Sequence, residues 1–120
     1  MNEILWLVLG GSIGTLARHA VSVFASEKMG PAFAYRSFFV NASGCFLMGF
    51  FASRLAGRET EKLFLLTGFC GAYTTFSTFE METFRAVTEG AWLVGGLNVV
   101  GSVAAGYAAL WLGVILSRAL

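Results

Sequence analysis

The chain has 120 residues, of which 57% are hydrophobic and only 12% charged, with a formal net charge of +1. A soluble domain usually carries about 25% charged residues, so half of the expected solvating surface is missing. The near-neutral balance excludes a nucleic-acid partner, because no basic stripe is present to neutralise phosphates.

The few charges are also segregated. None falls in Ile4–Ala17, Ser37–Ser53, Leu63–Phe79 or Gly90–Ser117, stretches of 14, 17, 17 and 28 residues. A transmembrane helix needs roughly 20 apolar residues, or about 17 when its flanks snorkel. Four spans take about 80 residues on that arithmetic and leave about 40 for ends and connections. The pattern predicts an all-α membrane protein of four transmembrane helices, one domain over residues 1–120 with no room for a soluble one.

Span 1 covers about Ile4–Phe24, with Arg18 and His19 interrupting its far end. Its start, Met1-Asn2-Glu3, lacks a basic region, and no small-residue cleavage site follows, so it is read as a retained span rather than a signal peptide. A loop from Ala25 to about Arg36 holds Gly30 and Pro31. Span 2 covers about Ser37–Leu55 and is followed by the charged loop Ala56–Lys62. Span 3 covers about Leu63–Val87, Thr88–Ala91 is a tight connection, and span 4 covers about Trp92–Ser117. Short connections make neighbouring helices antiparallel. No lipidation motif stands at either end.

Gly10 and Gly14, Gly44 and Gly49, and Gly101 with Ala105 form small faces on spans 1, 2 and 4. Helices in lipid associate through close backbone approach at such faces, because burying Leu against Leu gains little over Leu against lipid. Cys45 and Cys70 lie in apolar runs with no His or carboxylate at ligand spacing, and are read as small buried core residues.

An even number of spans places both ends and the 2–3 loop on one side, with Arg54, Arg58, Lys62 and Arg118. The other side carries Lys28, Arg36 and Arg85. Four positive charges against three give almost no orientation bias. Such a chain is expected to insert both ways, and opposite copies can pair across a two-fold axis in the membrane plane.

Span 3 carries the chemistry. Thr67–Glu82 combines glycines, clustered hydroxyls and β-branched threonines, a poor helix centre. Non-helical backbone at membrane depth survives only when buried in protein or lining a polar cavity. One reading unwinds Gly71–Thr74 and frees carbonyls for a cation. The other is a continuous helix whose hydroxyls bond back to the preceding turn. Phe76 and Phe79, three apart, fall on nearly one face and either pack or turn their positive ring edges toward an anion. Asn41 in span 2, and Asn98 with Ser102 at i, i+4 spacing in span 4, add intramembrane donors, for interhelical bonding or for a solute. Arg18 is costly in lipid, which makes it a functional candidate unless it snorkels. Together these residues suit a small anion.

The string Thr74-Thr75-Phe76-Ser77-Thr78-Phe79 followed by Glu82 closely resembles the third-helix signature of the Fluc (CrcB) fluoride channels. Gly11 with Arg18, Phe39-Val40-Asn41 and Gly101-Ser102 are similar to that family's other motifs, and the likeness covers essentially the whole chain. The resemblance implies a passive fluoride channel of the bacterial inner membrane, an antiparallel dual-topology homodimer with two pores and a third helix broken at its centre. It implies that the ring edges of Phe76 and Phe79 contact fluoride, that Asn41 donates to the ion, and that Ser77, Thr78, Ser102 and Asn98 belong to a polar track. It further implies that Arg18 stands at the vestibule, and that the Gly71 and Thr74 carbonyls hold a structural sodium ion at the dimer two-fold. Asn98 and Gly106 depart from the family's residues in the lower track. Glu80 replaces a small residue, whereas Glu82 matches the family's acid.

A small multidrug-resistance-type exporter has similar size and span number, but proton-coupled cation export needs a carboxylate deep in the first span, and Ile4–Phe24 has none. An enzyme is not expected: no Ser/His/Asp set, metal cluster or phosphate loop is present, and His19 is the sole histidine. A structural subunit leaves the intramembrane polar residues unexplained.

Overall fold

The computed structural model describes residues 2–29 and 36–120. Among these, every regular element is helical: α1 (Asn2–Met29), α2 (Arg36–Arg54), α3 (Glu59–Lys62), a π-helical stretch (Leu63–Cys70), α4 (Gly71–Tyr73), α5 (Phe76–Thr88) and α6 (Trp92–Ala119). Lys62, Leu63, Cys70 and Gly71 all keep right-handed helical dihedrals, so α3, the π-helical stretch and α4 form one continuous rod.

α1 and α6 are each 28 residues long and apolar enough to cross a membrane. At about 1.5 Å per residue, either exceeds the roughly 30 Å hydrocarbon thickness. Leu5, Leu16 and Phe24 on α1, and Leu93, Val100 and Leu112 on α6, lie exposed. A bilayer, not water, is the solvent such a surface suits.

α1 continues through Ala25 to Met29, where the sequence predicts a loop from Ala25. Ala25 is buried, and the Ser26 hydroxyl donates to the Ser22 carbonyl at 3.0 Å, so nothing stops the helix there. The rest of that expected loop, with Gly30 and Pro31, lies outside the described residues.

Two helix pairs build the packing: α2 lies along α6, and α1 along the π-helical stretch, with α5 leaning on α6. Backbone contact sets both. A methyl placed on Gly10 would overlap the Phe64 carbonyl oxygen, and one on Gly14 the Phe69 carbonyl oxygen. Across the other pair, Gly49 meets the Leu110 carbonyl and Gly113 the Phe46 carbonyl in the same way. Close approach of this kind takes the place of hydrophobic burial in lipid. The face expected around Gly101 is different, since among the described residues no other helix lies within 4 Å of a methyl added there. Cys70 is buried, whereas Cys45, expected to be buried too, is only half-buried because it lines an open cleft; both thiols are free.

α5 ends in a Schellman turn. Gly90 at φ +84° donates to the Val87 carbonyl, and Ala91 donates back to Ala86. Only glycine holds that dihedral without strain, which makes the connection to α6 tight.

Gly113→Ala should destabilise the folded protein by about 1–3 kcal/mol, the cost of overpacking a filled contact. Gly96→Ala faces open space and should be neutral or stabilising by about 0.5–1 kcal/mol. Thermal unfolding in detergent, followed by circular dichroism, checks the pair.

Candidate functional site

The helix running from α3 through α4 ends at Tyr73. Thr74 takes φ −81°, ψ 155° and Thr75 φ −147°, ψ 114°, both extended, before α5 starts at Phe76. Gly71, Ala72 and Tyr73 remain helical, so the residues that leave the helix are Thr74 and Thr75 rather than the Gly71–Thr74 stretch singled out in the sequence. The reason is a side chain on the neighbouring helix. Asn41 of α2 accepts from the Thr75 N–H through Oδ1 at 2.7 Å and donates to the Thr75 carbonyl through Nδ2 at 3.0 Å. A carboxamide has the same donor–acceptor pair as a peptide, so it satisfies both backbone groups of one residue.

The ends on either side are capped locally. The Thr74 hydroxyl donates to the Cys70 carbonyl at 3.0 Å and closes α4. Thr75 Oγ1 accepts from the Thr78 N–H at 3.3 Å and donates to Thr78 Oγ1 at 3.1 Å, which makes Thr75 the N-cap of α5. These diversions have a consequence for two carbonyls. In an unbroken α-helix, Thr75 N–H would bond to the Gly71 carbonyl and Thr78 N–H to the Thr74 carbonyl. Both donors are committed elsewhere, so the Gly71 and Thr74 oxygens lose their usual partners.

Gly44 lets this region approach α2, since a methyl there would overlap the Thr74 methyl. A cleft of about 270 Å³ opens beside it, lined by Asn41, Cys45, Met48, Thr74, Thr75 and Phe76 among others.

Phe76 and Phe79 lie with ring centroids 5.8 Å apart and planes tilted by 31°. Their environments are opposite: Phe76 is 77% exposed at the first turn of α5, whereas Phe79 is 6% exposed. Three residues advance a helix by about 300°, and the missing 60° separates an outward ring from an inward one. Ser77 and Thr78 are exposed on the same turn.

Below them, Asn98 of α6 is 4% exposed. Its Nδ2 donates to Thr83 Oγ1 at 3.0 Å, and its Oδ1 accepts from the Ser102 hydroxyl at 3.3 Å. The structure thus brings Asn98 and Ser102 together and adds Thr83, which the sequence did not single out. It also pairs Glu82 with Ser37, another residue not foreseen. Buried Glu82 accepts from the Ser37 N–H at 3.2 Å and from the Ser37 hydroxyl, capping the start of α2. The acceptor at this first turn comes from another helix, and nothing in the local sequence marks a partner 45 residues away. Arg18 stands apart, half-buried on α1, with no hydrogen bond or ion pair among the described residues.

Helices of membrane length with lipid-compatible surfaces, and polar groups collected between them, define a helical membrane protein. The family described as CrcB-like protein, Camphor Resistance (CrcB), matches this chain over residues 5–114, and the chain belongs to that family. It is similar to the fluoride-specific ion channel FluC of Solibacter usitatus, 43% identical over 97% of this chain and 98% of that one. The protein of the same name from Acidobacterium capsulatum is 42% identical over 97% of this chain and 96% of its own length. The one from Roseiflexus sp. is 36% identical over 98% of each. The exporter alternative is set aside by this membership.

Asn41→Ala should cost about 1–3 kcal/mol for each Thr75 backbone group it strands. Ser53→Ala, which removes only a hydroxyl bonded to the Gly49 carbonyl, should stay within about 0.5 kcal/mol. Unfolding midpoints followed by tryptophan fluorescence separate the two.

Proposed function

We infer that the chain is a fluoride-specific ion channel of the membrane and not an enzyme. Near-full-length identity of 43% and 42% to two relatives named for that activity carries the reading. The chemistry of the site agrees with it. Fluoride is small and strongly hydrated, so a passage must replace its water shell with donors and positive edges, and chloride is too large for the same close fit.

Four spans, near residues 4–24, 37–55, 63–87 and 92–117, cross the bacterial inner membrane, and the third is interrupted at its centre. Two copies in opposite orientations form a homodimer with two pores. Support for this comes from the near-balanced flanking charge and from Phe76, whose exposure beside the cleft leaves a ring available to a second copy. The ring edges of Phe76 and Phe79 face the ion. The second N–H of Asn41 Nδ2, not needed by Thr75, donates to it. Ser77, Thr78, Ser102 and Asn98 continue the polar track, and Arg18 draws anions into the vestibule.

Sodium fits the same region. The Gly71 and Thr74 carbonyls have lost their helical donors, and neutral oxygens of this kind suit a hard cation. Two antiparallel copies would double the set around the two-fold, and bound sodium would screen the carbonyl dipoles from each other.

Liposomes containing only this protein, read with a fluoride electrode, test the assignment. Fluoride should leave and chloride should not; comparable chloride efflux overturns the reading. In the same assay Phe76→Ile and Phe79→Ile should assemble normally, since such swaps cost under about 1.5 kcal/mol. Their throughput should fall about tenfold or more, because an aliphatic wall offers no positive edge. Two well-folded variants with unchanged fluoride efflux would return both rings to ordinary packing.

A further inference from the structure

The three side chains Thr83, Asn98 and Ser102 are joined by bonds whose directions are set from one end. Thr83 Oγ1 lies 3.0 Å from the Phe79 carbonyl, which can only accept, so the Thr83 hydroxyl donates there. Thr83 then has only lone pairs to offer Asn98. The amide must present its NH2 to α5, at 3.0 Å, and its carbonyl oxygen to Ser102. The Ser102 hydroxyl in turn donates to that carbonyl at 3.3 Å. Hydroxyl donors usually approach to about 2.7–2.8 Å, so this last bond is a long, weak one.

The reverse orientation has a different chemistry. With the NH2 end turned to Ser102, an N–H and an O–H would converge on one point, a strong trap for a small anion. With the carbonyl end there, the amide competes with the anion for the Ser102 proton and keeps any hold on it weak. Conduction needs that weakness, since an ion must leave each site as readily as it enters.

We propose that Thr83 is a positioning residue that keeps the carbonyl of Asn98, rather than its NH2, against Ser102, so that Ser102 binds fluoride weakly enough to release it. This rests on the channel reading above, with Ser102 on the ion's path. Thr83 itself does not touch the ion in this scheme; it acts through Asn98.

Initial fluoride efflux from liposomes, measured across a range of internal fluoride concentrations, tests the role. Thr83→Val keeps the branched shape and removes the hydroxyl. The Asn98 amide is then free to turn, throughput should fall about tenfold, and saturation should move to lower fluoride. Thr83→Ser keeps the hydroxyl and drops a methyl, and should behave as the native protein within about twofold. A purely packing role reverses that order, with Val tolerated and Ser impaired. Should Thr83→Val not assemble, Thr83→Ala against Thr83→Ser repeats the comparison at nearly equal volume. Native throughput and saturation in the hydroxyl-free variant, or equal impairment in Thr83→Ser, overturns the proposal. Ser102→Ala separates the two levels of the argument. Native efflux from it removes Ser102 from the path, and the Thr83 role with it, whereas an impaired Ser102→Ala beside a native Thr83→Val overturns the Thr83 role alone.

Discussion

A single carboxamide holds the centre of this protein together. Extended backbone between two helices leaves peptide groups without helical partners, and in a bilayer there is no water to take them. Asn41 replaces the missing partners of Thr75 on both sides, donor for acceptor and acceptor for donor. The hydroxyl of Thr75 is thereby free to cap α5, and α5 then sets where Phe76, Phe79, Glu82 and Thr83 stand. Remove the amide, and each of these placements loses its reference point.

The same constraint explains why backbone, rather than side-chain volume, dominates the packing. Gly10 and Gly14 admit the carbonyls of the π-helical stretch, and Gly49 and Gly113 lock α2 to α6. A π-helical stretch widens the turn and turns carbonyls outward, so glycine on the facing helix is the natural complement. Rigid contacts of this sort are suited to holding a polar interior at fixed spacing, where leucine against lipid would let helices slide.

Much of this was legible in the residues. Charge-free stretches fall largely inside helices, because charge is the property lipid excludes most strongly, but α1 and α5 run past them to include Glu27, Lys28, Glu80 and Arg85. The Thr74–Phe79 string stands where the helix breaks, and Asn41, Asn98 and Ser102 are identifiable as polar residues in apolar surroundings. What stayed hidden depended on partners distant in sequence. The π-helical stretch Leu63–Cys70, which lies against α1, has an apolar composition that an ordinary helix shares. The split between an outward Phe76 and an inward Phe79 follows from a rotation of about 60° that spacing alone treats as one face. Thr83 carries no signal of its own, because its partner Asn98 stands on another helix, and the break at Thr74–Thr75 depends on Asn41 of α2.

The pairing of Ser37 with Glu82 bears on how the chain is made. Ser37 leaves the ribosome 45 residues before the carboxylate that caps it. For that interval the Ser37 N–H and hydroxyl have no Glu82 to donate to, and α2 starts without its buried acceptor. The start of α2 is fastened only when α5 has been made and delivers Glu82, so the opening turn of one helix waits for a carboxylate in a much later part of the chain.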